Sequence, residues 1–234
     1  MKKTIPLITL AGMTISQAAI FSSGELDFGV ILEGGELELE AHVVSGIVDD
    51  TQTDDVEFEV SQIQVLTGAD REFTADASHV PAGFVSGSSL WILPQSEVVG
   101  VPFVALASEE LTPSDWSSAI TFTLGTVTSP SGNGTFAMWT FDALDNPTFH
   151  FSSSEPTATD NNNQFVSNFS HDHVNWGFDE AGTWSIELTA SGNLADSSLV
   201  STTETLTFIV IPEPSTALLA GISLLGFAAR RRRS

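Results

Sequence analysis

Cysteine is absent from all 234 residues. No disulfide can staple the fold, although an oxidising exterior would permit one, and no thiolate can serve as nucleophile or metal ligand. Basic residues are nearly as scarce. There are seven, and six lie at the ends: Lys2, Lys3 and Arg230 to Arg233. Arg71 alone lies between them, set against 29 of the 30 acidic residues, the exception being Glu213. A polyanion of this kind excludes nucleic acid as a partner. It attracts cations, and self-repulsion keeps it soluble. The balance suits life in a salty or cation-rich exterior, and it equally suits a protein that handles cations.

Other absences narrow the function. There is no Gly-rich phosphate loop, no Gly-x-Ser-x-Gly, and no Ser-His-Asp set in a strand-turn-helix setting. Carboxylate pairs abound, but in so acidic a chain a pair says little about glycoside hydrolysis. Chemistry that needs a basic residue has almost nothing to use. These readings lead us to expect a non-enzymatic protein.

Long amphipathic helices are also missing, and what fills the chain is alternation of period two. Leu37, Leu39, Ala41 and Val43 alternate with Glu36, Glu38, Glu40 and His42. Val56, Phe58 and Val60 alternate with Glu57 and Glu59, after which the phase slips to Ile63 and Val65, as at a bulge. Ile120 to Leu124, Trp184 to Leu188 and Leu206 to Val210 repeat the pattern. Clusters of Gly, Ser, Asn and Asp separate the runs. The expected fold is all-β, an antiparallel β-sandwich of jelly-roll or immunoglobulin-like topology. The less regular stretch from Asp70 to Ser96 reads as a long loop over one end, and Leu111 to Trp116 as at most a short helix. Neither an internal repeat nor a second domain is evident.

The two ends read as addresses. Lys2 and Lys3 precede a mainly apolar run from Ile5 to Ile15, and Ser16-Gln17-Ala18 offers small residues for cleavage. Residues 1–18 therefore form a secretory signal peptide, cut by signal peptidase, with a mature start near Ala19. Residues 19–211 form the β-sandwich surface domain. Residues 212–234 hold Pro212, Glu213 and Pro214, a short apolar stretch from Ala217 to Ala229, and the arginine block. The prolines hold the chain extended for a processing enzyme. The apolar stretch is short for a stable span of roughly 20 residues, so it reads as a temporary transmembrane helix with its arginines on the cytoplasmic side. This tail closely resembles the PEP-CTERM sorting signal of Gram-negative bacteria. The resemblance implies recognition by an exosortase, removal of the tail, and delivery to the cell surface or extracellular matrix, where exopolysaccharide is a candidate partner.

The sharpest chemical feature is His171-Asp172-His173-Val174-Asn175-Trp176. Read as one strand, it puts His171, His173 and Asn175 on one face and Val174, Trp176 and Phe178 in the core. Histidines at i and i+2 emerge about 7 Å apart on the same side and can converge on one ion. His150, between Phe149 and Phe151, points away from the core. His42 shares its face with Glu40, and Glu25 and Asp27 alternate with Leu26 and Phe28. His171, His173, His150, His42, Glu25 and Asp27 are thus the candidate ligands of a zinc-like divalent metal, the only cofactor anticipated. The plainer reading is of hydrogen-bonded histidines on an exposed strand face. Asp160 to Asn163 is oxygen-rich but lacks a full calcium-loop spacing. The five tryptophans offer material for a glycan-stacking platform, although Trp176 and Trp184 read as core by periodicity.

Three stretches resemble the choice-of-anchor M domain: GELDFGVILEGGELELEAHV, SLWILPQSEVVGVPFVALASEEL and HDHVNWGFDEAGTWSIELTASG. Together they cover essentially Ser22 to Val210. The resemblance implies an envelope protein held by a variable C-terminal anchor, and gene neighbourhoods with metal-type transporters among some members suggest metal. Two departures stand out. Glu25 occupies the place of a common histidine, and Ala181 that of the usual proline before Gly182. The functional expectation is an exported surface protein with a structural or binding role, with a metal-binding module and a glycan-binding module as the alternatives.

Overall fold

The computed structural model describes residues 18–212. The expected signal peptide apart from its last residue, Ala18, together with Glu213, Pro214 and the expected transmembrane tail, lies outside the described residues. Among the described residues no helix is long and apolar enough to cross a membrane.

The chain is mostly β. Its strands are β1 (Ala19–Glu33), β2 (Glu36–Val48), β3 (Thr51–Glu59), β4 (Ile63–Thr67), β5 (Glu72–Thr74), β6 (Ser89–Leu93), β7 (Pro102–Ala107), β8 (Ile120–Thr128), β9 (Phe136–Phe141), β10 (Pro147–Ser152), β11 (Gln164–Ser167), β12 (His171–His173), β13 (Asn175–Phe178), β14 (Gly182–Asn193) and β15 (Leu199–Val210). A ten-stranded sheet runs β11-β8-β14-β15-β4-β1-β2-β3, with β7 joined to β1 and β12 joined to β7. A five-stranded sheet runs β10-β9-β13-β6-β5.

The larger sheet is not purely antiparallel, which corrects the expectation from alternation. β1 pairs in parallel with β4 and with β7, and β15 pairs in parallel with β4. Alternation reports which face of a strand is buried and carries no information on strand direction. β1 holds β2 along one side and changes partner along the other, from β4 at Ala19–Phe21 to β7 at Gly24–Gly29. Gly24 makes the change possible. Its φ is +100°, and a Cβ there would collide with the Ser45 carbonyl. The register of β1 against β2 shifts on both sides of it.

The two sheets share one aromatic core. Trp176 of β13 packs 6.3 Å from Phe28 of β1 and 5.3 Å from Phe208 of β15, while Phe136 and Phe178 complete the cluster from the smaller sheet. A second apolar cluster covers the other face of the smaller sheet, where Trp139, Phe149 and Leu90 meet Ala75, Ala82 and Phe84. The stretch from Asp70 to Ser96, expected as a loop over one end, thus supplies β5, β6 and this cover. It contains two further single turns of 3₁₀ helix, at Ala69–Arg71 and Val80–Ala82. The phase slip after Val60 is another such turn, Val60–Gln62, rather than a bulge. It carries the chain from the sheet edge at β3 to β4 between β15 and β1. The short helix expected after Leu111 is also one 3₁₀ turn, Pro113–Asp115.

Candidate metal centre

β1 alternates between core and surface at the site. Leu26 and Phe28 are buried in the core, so Glu25, Asp27 and Gly29 project from the opposite face. β7 lies beside β1 in parallel register, with Asp27 opposite Ala105 and Gly29 opposite Ala107. β12 lies beyond β7, with His173 opposite Ala105 and His171 opposite Ala107. The two alanines put only methyl groups between the histidines and the carboxylates. This lets two imidazoles reach over an intervening strand to side chains two strands, roughly 9.5 Å, away.

The four groups meet. Glu25, Asp27, His171 and His173 each offer a donor atom, and these atoms all lie within 4.8 Å of one another. His171 Nε2 is 3.0 Å from Asp27 Oδ1 and 3.6 Å from Glu25 Oε1, and His173 Nε2 is 3.2 Å from the same Glu25 oxygen. Donors in a tetrahedron with bonds of about 2.1 Å stand about 3.4 Å apart, so these separations already suit an ion between them. Asp27 is 5% exposed. Its Oδ1 and His171 Nε2 are both buried and pair with each other.

Neighbours fix the imidazoles. Phe103 stacks on His173 at 3.3 Å between centroids, with the planes 8° apart. Glu109 Oε1 is 3.3 Å from His171 Nδ1, so a ligating Nε2 would leave Nδ1–H to donate to a carboxylate. The Asp27 carboxylate, helped by Glu109 and Glu25, raises the His171 pKa to about 9 against the cost of burial. Burial, and then the charge of His171, push His173 below its ordinary value. His171 is therefore the charged imidazole of the pair at neutral pH, and a metal ion would displace its Nε2 proton.

The other expected ligands lie elsewhere. His150 is held by Thr140 Oγ1 at 3.0 Å and Asp160 Oδ2 at 3.2 Å, and it packs edge-on against Phe165. Its own strand, β10, belongs to the other sheet, so it is not part of this group. His42 stands opposite Asp27 across β1 and β2, but its Nε2 turns to Asp55 at 3.2 Å. Asn175 does not share the histidine face. The strand breaks at Val174, and Asn175 begins β13 in the smaller sheet, where its amide bonds the Gln95 backbone, Gln95 Oε1 and the Trp139 carbonyl. The Asp160–Asn163 turn is structural: Asn163 bonds both backbone groups of Ser152, and Asp160 faces His150. Sequence reasoning missed Phe103, Ala105, Ala107 and Glu109, whose signal is the small-residue alternation of β7. All five tryptophans are buried, so they form no exposed platform for glycan.

The tail supplies the decisive likeness. Residues 210–233 match the PEP-CTERM protein-sorting motif. This sorting motif implies an exported protein, anchored in the membrane and then processed by an exosortase at the surface. Pro212 is its last described residue, and Glu213 and Pro214 lie beyond. No curated protein and no solved structure matches the chain.

Proposed function

We propose that this is a non-enzymatic surface β-sandwich, released from a temporary membrane anchor, that binds one divalent transition-metal ion through Glu25, Asp27, His171 and His173. The observation that carries the reading is the convergence of these four side chains, whose donor atoms all lie within 4.8 Å of one another. Two imidazoles and two carboxylates form a borderline donor set suited to zinc and its neighbours rather than to calcium. Two carboxylates balance the charge of a divalent ion. The acidic surface raises its local concentration, which favours capture.

The boundaries 19–211 for the mature domain, the Gram-negative host and the matrix destination belong to the same proposal, supported by the sorting motif. So does the resemblance to choice-of-anchor M proteins, which the site modifies by placing Glu25 among the ligands. A purely structural role is the remaining reading, and the buried tryptophans speak against stacked sugar. Elemental analysis of the exported protein decides between metal carriage and scaffold. We expect close to one equivalent of zinc or a neighbouring metal in the wild type and none in His171→Ala/His173→Ala. A metal-free wild type that takes up none on dialysis would leave only the scaffold.

A further inference from the structure

A cavity of about 330 Å³ opens beside the histidines; Glu25, Asp27 and His171 of the metal centre line one end of it, and the rest of the lining extends well beyond an ion site. Gly29 and Ala107 form part of its floor, where a side chain added to Gly29 would meet only the Ala107 methyl, at 3.9 Å. Val44 and Ile31 add apolar wall. Glu40, Glu57, Glu109 and Glu110 surround this floor. At the end shared with the metal centre stands Asp27, nine-tenths buried, with Oδ1 3.0 Å from His171 Nε2.

The two histidines of this cavity are already paired, His171 with Asp27 and Glu109 and His42 with Asp55, and among the described residues no lysine or arginine lines it. Arg71, the only such residue between the two ends, stacks over Phe73 at 4.8 Å and donates to the Ile92 carbonyl, on the smaller sheet. Burial, and then the charges of Glu57, Glu38, Glu59 and Glu110, raise the Glu40 pKa, the sign of crowded carboxylates. The four glutamates do not gather around one point as Glu25, Asp27, His171 and His173 do. A bare ion would meet too few of them. An occupant must be large enough to fill the space, apolar enough for its floor, and positively charged.

We propose that this cavity binds a small organic cation with an apolar body, of the alkylammonium class. Its ammonium group donates to the glutamates, and its chain lies over Gly29 and Ala107. The inference stands beside the metal reading: an ion held by Glu25 and Asp27, with Glu109 accepting from His171, leaves Glu40, Glu57 and Glu110 free for the amine.

Calorimetric titration of the exported, processed protein with n-hexylammonium tests it, with ammonium and 1-hexanol as controls, in zinc-loaded and chelator-treated samples. The expected result is saturable binding of one hexylammonium, at least about tenfold tighter than either control. Glu40→Gln/Glu57→Gln should weaken it by about tenfold, as charged hydrogen bonds are lost. Gly29→Leu should abolish it by filling the space. Hexanol binding equal to hexylammonium overturns the proposal, as does the absence of saturation. Hexylammonium binding that both variants leave unchanged would mean loose surface association, and also overturns it. Zinc uptake is read in the same samples, so a failure of the metal site and a failure of the amine site appear as separate results.

Discussion

His173 is held face to face by Phe103, at 3.3 Å, while its Nε2 meets Glu25. The ring's orientation is therefore set before any ion arrives, as a pre-organised site requires. Phe103→Ala should release the imidazole and weaken zinc affinity about 10- to 100-fold, with one equivalent still bound at saturation. Competition against a zinc-sensitive dye measures this, and an unchanged affinity would make the stack incidental. His150 offers a contrast. Burial lowers its pKa from 6.5 and outweighs the attraction of Asp160 and Asp172. The folded state thus holds His150 neutral where the unfolded chain would protonate it. Its contribution to stability is full above pH 6.5 and is lost as pH falls through that value towards the lower folded pKa. His150→Gln cannot titrate, so thermal melts should show wild type losing stability relative to the variant over this window. A difference independent of pH would contradict the assignment.

At the scale of elements, the site depends on a strand that changes sheet. β12 lies in the larger sheet beside β7, and after Val174 the chain enters β13 in the smaller one. Trp176, fully buried between the sheets, anchors that crossing with its indole N–H donating to the Val104 carbonyl of β7. Trp176→Ala should cost about 3–5 kcal/mol in chemical denaturation, and a loss below about 1 kcal/mol would show that the crossing is held elsewhere. Alternation made the buried faces of β1, β2, β14 and β15 legible, and with them the shared surface face of Glu25 and Asp27. The pair His171 and His173 was legible from its spacing. Strand order was not, because pairing with β7 and β4 is decided by packing between distant segments. That is why His150, on an equally convincing polar face, falls in the other sheet. It is also why Asn175, two residues beyond His173, turns away from it.

At the scale of the molecule, charge dominates. With 29 acidic residues against Arg71 between the ends, the folded domain works against its own repulsion. Salt screens that repulsion, so melting temperature should rise as sodium chloride increases towards about 1 M, where the Debye length is about 3 Å. A flat profile would mean that the charges are already neutralised by bound cations. The export reading rests on the tail, whose order of prolines, apolar stretch and arginines was plain in the sequence and matches the sorting motif. The central claim, metal binding at the four converging side chains, is tested most directly by calorimetric titration of zinc into the exported, chelator-treated protein. The account predicts one saturable equivalent for wild type, lost in Asp27→Asn/His171→Ala, with zinc raising the melting temperature of wild type alone. No saturable heat and identical melting with and without zinc would contradict it.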